Sequence, residues 1–101
     1  MTKCLVWLRL KVVKGSDAKR RIRALARNGR IFVDDHAWDA MERRSVPFAD
    51  LRHALERSES CRLQANGRWC VAGRDPDGDV LRVIVELLDD LLVVTVYRGD
   101  E

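Results

Sequence analysis

Four side chains capable of chemistry stand near the carboxyl end of the chain: Arg82, Thr95, Tyr97 and Arg98. If Val80 to Leu88 and Leu91 to Arg98 form two strands joined at Asp89-Asp90, Arg82 falls opposite Tyr97 and Ile84 opposite Thr95. The same register pairs Val85 with Val94, Val83 with Val96 and Leu87 with Leu92 as one apolar face. A slip of one residue would mix the two sets. An aromatic ring beside guanidinium groups suits a nucleotide, because a base stacks on the ring while arginines hold phosphate. Breaking a phosphodiester also needs few parts. One group takes the 2′-hydroxyl proton, a cation steadies the charge on phosphorus, and an acid protonates the leaving oxygen. His, Arg and Tyr can fill these roles without a metal. The alternative is that Thr95 and Tyr97 are ordinary strand formers and that Arg82 covers apolar surface. Composition alone favours that alternative.

His36 is the remaining proton carrier of interest. It opens a predicted helix, where the positive end of the dipole favours neutral imidazole and hence a base. It could equally pack or hydrogen-bond at the helix start. Arg44 follows eight residues later, about 80° around the helix from His36. His53 lies mid-helix and reads as surface. Cys70 reads as a small hydrophobe in a strand. Asp75, Asp77 and Asp79 alternate as in a calcium loop, but Pro76 and Gly78 break that pattern and make a turn the better reading.

The elements that must position these residues follow from spacing. Residues 4–13 alternate as a strand, with Val6, Leu8, Leu10 and Val12 on one face. Ser16 caps a helix whose apolar positions are Ala18, Ile22 and Leu25, closed by Gly29. Its other faces carry Lys19, Arg20, Arg21, Arg23 and Arg27, the densest positive surface in the sequence. A short strand runs from Arg30 to Val33. Asp34 or Asp35 caps a second helix, His36 to Arg44, which buries Ala37, Ala40 and Met41. Pro47 opens a third helix, presenting Phe48, Leu51 and Leu55 to a core. Strands from Cys61 to Ala65 and Arg68 to Gly73 flank Asn66-Gly67, a tight-turn signal. The expected fold is α+β, with N-terminal helices packed on one face of a twisted antiparallel sheet whose other face is open.

A chain of 101 residues suits one domain. With 35% of residues charged and its longest apolar runs, such as Leu91 to Val94, very short, a membrane span is not expected. Lys3 followed by Cys4 to Leu8 resembles the start of an export signal, but Arg9 and Lys11 interrupt it. Three cysteines without a CxxC pair fit reduced thiols in a cytoplasm better than a disulfide framework, and two histidines far from paired cysteines argue against a metal site. Residues 1–44 carry a net charge of +7 and residues 45–101 a net charge of −4. The basic half suits RNA, DNA or an acidic protein; a solvated helix face explains it equally well.

One stretch is familiar. His36-Ala37-Trp38-Asp39-Ala40-Met41-Glu42-Arg43-Arg44-Ser45-Val46 resembles the opening of a bacterial domain-of-unknown-function family, whose pattern is His-Ala, Arg-Met, Arg-Gly-Ile and then a short helix. Gly67-Arg68-Trp69, Leu81-Arg82-Val83-Ile84-Val85 and Thr95-Val96-Tyr97-Arg98 resemble it too. The resemblance covers about residues 30–98 and leaves 1–29 as a basic strand/helix extension. That family is similar in fold to the RelE/ParE/MqsR toxins and BrnT. The resemblance therefore implies a RelE/MqsR-like toxin of a type II toxin-antitoxin pair, a metal-independent endoribonuclease without cofactors that cleaves mRNA, with or without the ribosome, and is blocked by a cognate antitoxin. It implies His36, Arg82 and Tyr97 as catalytic. Arg44, Thr95 and Arg98 would bind RNA; outside the resemblance, the charge of the first helix would let Arg20, Arg23 and Arg27 steer RNA toward them. A non-catalytic binding module of the same fold is the alternative. Two positions depart from the pattern: Ala40 stands where the family has Arg, and Ser45 where it has Gly.

Overall fold

The computed structural model describes residues 15–99. The strand expected over residues 4–13 lies outside them. Helix α1 (Gly15–Arg27) buries Ala18, Ile22, Leu25 and Ala26, a stripe at helical spacing. Asp17 complements its positive end. Gly29, at φ 73°, ends it: its N–H donates to the Ala26 carbonyl, and that of Arg30 donates to Leu25. These two bonds close the helix end in the left-handed conformation that glycine adopts most easily.

Strand β1 (Ile31–Val33) leads into helix α2 (Asp35–Arg43). Asp34 is its cap, accepting from the Ala37 N–H at 2.9 Å. Helix α2 buries Ala37, Ala40 and Met41 and closes as α1 does, with Ser45 donating to Glu42 and Val46 to Met41. Here the left-handed residue is Ser45, at φ 55°. Helix α3 (Phe48–Glu56) begins after Pro47 and buries Leu51, Ala54 and Leu55. Phe48, expected in the core, is instead 37% exposed and stacks at 6.0 Å on the exposed Trp38 of α2.

Strands β2 (Ser60–Leu63), β3 (Trp69–Arg74), β4 (Val80–Leu87) and β5 (Leu91–Arg98) join β1, among the described residues, in a five-stranded sheet of order β1-β5-β4-β3-β2. The sheet is mixed rather than antiparallel throughout, because β1 runs parallel to β5, with Ile31 beside Leu91 and Val33 beside Val93. A parallel neighbour requires a long crossover, and α2, α3 and β2–β4 supply it.

The three described helices share one core with one sheet face. Ile22, Met41, Leu51 and Leu55 meet Val71, Leu81, Val83, Val85, Leu91, Val93 and Val96 there. Each such side chain contributes roughly 1.5–3 kcal/mol on full burial. Gly73 lets α3 approach β3: a Cβ there would lie 2.2 Å from the Ala54 carbonyl oxygen.

The last hairpin corrects part of the expected register. Val83 faces Val96, Arg82 faces Tyr97 and Ile84 faces Thr95, as expected. Nearer the turn, Val85 faces Val93 and Leu87 faces Leu91. The turn therefore has three residues, Leu88 to Asp90, with Leu88 N–H donating to the Asp90 carbonyl. Val94 absorbs the extra residue as a β-bulge. Leu91 and Val93 thus enter the core in place of Leu92 and Val94.

Candidate nucleic-acid interface

The strand alternation assigns the two sheet faces. On β4, Leu81, Val83 and Val85 point under the helices, so Arg82, Ile84 and Glu86 take the other face. On β5 the bulge restores the phase, putting Val96 in the core and Thr95 and Tyr97 on the open face. Both side chains are half-buried. One cross-strand row reads Tyr97, Arg82, Ala72, Ser60; the next reads Thr95, Ile84, Cys70, Arg62.

Arg44 joins this face around the sheet edge. Strand β1 pairs only with Leu91–Val93 of β5, so among the described residues no strand lies beyond the later half of β5. Arg44, at the end of α2, places its guanidinium carbon 5.6 Å from the centre of the Tyr97 ring. Arg82 flanks the same ring from β4, and its Nε donates to the Gly99 carbonyl at 3.1 Å. Two cations and one phenol therefore converge on a single sheet end.

Arg98 belongs to the other face. Its Nε donates to the Arg44 carbonyl and its Nη2 to the Ser45 carbonyl, both at 2.8 Å. A cation at a helix carboxyl end also complements the dipole. Its Nη1 lies 3.3 Å from Asp75 Oδ2. The Asp75 carboxylate is buried and accepts from the N–H groups of Asp77 and Asp79 through Oδ1. Burial works to raise its pKa, but the Asp79 N–H, the Arg98 guanidinium and the Asp77 N–H outweigh it and hold the carboxyl below the usual carboxylate range. The 75–79 segment is thus a turn organised around one carboxylate, and Arg98 positions the helix end from which Arg44 projects.

His36 stands apart. It is exposed at the start of α2, and roughly 12 Å of helix rise separates it from Arg44. The structure does not bring it to the ring of Tyr97. The arginines of α1 lie on the helix side of the sheet, across from Tyr97. Arg23 donates through Nε to the Ser58 carbonyl at 3.0 Å, Arg20 lies 3.8 Å from Asp17, and Arg27 shares a shallow groove with both and with Lys19.

Arg62, Ser60 and Cys70 share the open face, although only the alternation of Cys61, Arg62 and Leu63 in the sequence could have pointed to Arg62. The thiol of Cys61 is pushed up to about 11, first by burial and then by neighbouring Cys70, against the weaker pull of Lys19. Among the described residues no cluster of three or more His, Cys, Asp or Glu could hold a metal ion, and no helix is long and apolar enough to cross a membrane.

Compared with known proteins, residues 33–98 match the family model described as "Domain of unknown function (DUF4258)". No curated protein and no solved structure matches the chain.

Proposed function

The chain belongs to the DUF4258 family, and from that premise we propose that its open sheet face binds single-stranded RNA and that it acts as the toxin of a cytoplasmic toxin-antitoxin pair, an endoribonuclease of RelE/MqsR type. One observation carries the reading: the Tyr97 ring is flanked by Arg82 across the strands and by Arg44 at 5.6 Å, on a face that no described helix covers. A base stacks on such a ring, and the two guanidiniums neutralise the adjoining phosphate. The phenol of Tyr97 is the proton-carrying group of the three. His36 has no part in this version of the site. An acidic or amphipathic antitoxin segment would cover the same cations, with affinity falling as salt rises.

Cleavage of purified RNA by wild type and Tyr97→Phe, with and without EDTA, tests the catalytic part. Loss of a general acid or base costs typically about 10²–10⁴-fold in rate, so Tyr97→Phe should retain binding and lose turnover by that order. The distance of His36 favours a second reading, a non-catalytic binding module. RNA bound and left intact by wild type would decide for that module.

A further inference from the structure

A trough crosses the open face on the far side of Arg82 from Tyr97. Its lining is Ser60, Cys61 and Arg62 of β2, Cys70 of β3 and Arg82 of β4, around about 250 Å³. The trough exists because β3 presents small side chains there. Cys70 lies opposite Arg62, and Ala72 lies between Ser60 and Arg82. Arg62 and Arg82 thus stand on either side of a low middle strand, in adjacent cross-strand rows and so about 12 Å apart at their backbones by ordinary strand spacing and rise. Both arginines line the trough. Arg82 is fixed along one edge by the Gly99 carbonyl. Arg62 is exposed, and no described residue pairs with it.

We propose that the trough between Arg62 and Arg82 is a second phosphate subsite, taking the backbone phosphate next to the one held at Arg44 and Tyr97. This rests on the reading of the open face as an RNA surface. The strand then runs across the β-strands, from the Tyr97 end of β5 over Arg82 toward Arg62 on the β2 edge. Arg82 stands between the two positions and serves both. The ligand class is a phosphodiester of single-stranded RNA, since a duplex is too stiff to press consecutive phosphates of one strand onto so short a path.

The test is fluorescence anisotropy with a length ladder of single-stranded oligoribonucleotides, comparing wild type with Arg62→Gln, a change at an exposed edge position that the fold tolerates. Arg62→Gln should weaken the longer oligonucleotides roughly tenfold, as expected for a lost charge-assisted hydrogen bond. It should also reduce the slope of log affinity against log salt by about 0.7, the single-strand value for one phosphate. Dinucleotides, which fill only the Tyr97 end, should bind both proteins alike. In a Cys4→Ser background, bound RNA should slow alkylation of Cys70 by iodoacetamide. Equal binding of both proteins at every length would overturn the subsite. So would inorganic phosphate protecting Cys70 as fully as RNA does, which would make it a site for free phosphate. Binding without cleavage by wild type sinks the nuclease reading and leaves the affinities to judge the trough. A wild type that binds no RNA at any length overturns both.

Discussion

Arg98 holds the carboxyl end of α2 in place: its Nε donates to the Arg44 carbonyl at 2.8 Å, so the residue that carries the cation over Tyr97 is itself gripped through its backbone. A planar fork is needed for this, because Nε and Nη2 serve adjacent carbonyls while Nη1 faces Asp75.

Arg98→Lys keeps the charge and loses the fork. The variant should be destabilised by roughly 1.5–3 kcal/mol, the range for hydrogen bonds involving a charged group. The ring-current shift that Tyr97 imposes on the Arg44 side-chain protons should shrink, whereas methyl shifts of Val83 and Leu51 in the core should stay. Chemical denaturation and two-dimensional NMR read the two effects. Unaltered Arg44 shifts would show that Arg98 only stabilises.

Asp75 makes stability sensitive to acid. Its folded pKa is depressed, so its contribution is complete above the unfolded value of about 3.9 and is lost as pH falls through the folded value. Urea midpoints measured from neutral pH down to about pH 2 should therefore fall more steeply below about pH 4 for wild type than for Asp75→Asn. At neutral pH the asparagine variant should be the less stable of the two. Parallel curves would mean that the carboxylate is not the group titrating.

Ser45 occupies a left-handed position, φ 55°, that costs an L-residue about 1–2 kcal/mol relative to glycine. Glycine loses more entropy on folding, so the expected net gain for Ser45→Gly is about 0.5–1 kcal/mol. The thermal midpoint should rise. A lower midpoint would mean that the Ser45 side chain compensates for the backbone.

Gly73 is the opposite case. Its φ needs no glycine, but a methyl group there would overlap the backbone carbonyl of Ala54, which cannot swing aside as a side chain could. Gly73→Ala should push α3 off the sheet and cost at least about 1–3 kcal/mol, the usual range for an overpacked core. A midpoint within error of wild type would show that α3 can shift at little cost.

The helices were readable because caps and stripes are local. Ala18, Ile22 and Leu25 mark the inner side of α1, Gly29 ends it, and Asp34 and Pro47 start the next two. Phe48 misled because its spacing from Leu51 suits a core stripe, yet at the first turn it sits beyond the sheet and finds Trp38 instead. The parallel pairing of β1 was hidden because three residues, Ile31 to Val33, carry no directional signal and their partner lies some sixty positions away. The Arg82–Tyr97 pair was legible from alternation, since those residues lie on the regular side of the bulge. Arg98 was not. Its position next to Tyr97 in sequence suggested a shared surface, but consecutive strand residues point to opposite faces, and the carbonyls that engage it come from fifty positions upstream. Resemblance alone groups His36 with the sheet residues, and nothing in the spacing fixes which end of α2 meets β5.

Val94 gives the chain one residue more than its hairpin ladder uses. Removing it would leave Val93 inward, Thr95 outward, Val96 inward and Tyr97 outward, so no neighbour would change sides. What would change is the bend, and with it the direction in which the phenol leans. The bulge is in that sense a shim: one extra unit of backbone, set just before the ring, that bends the strand carrying it.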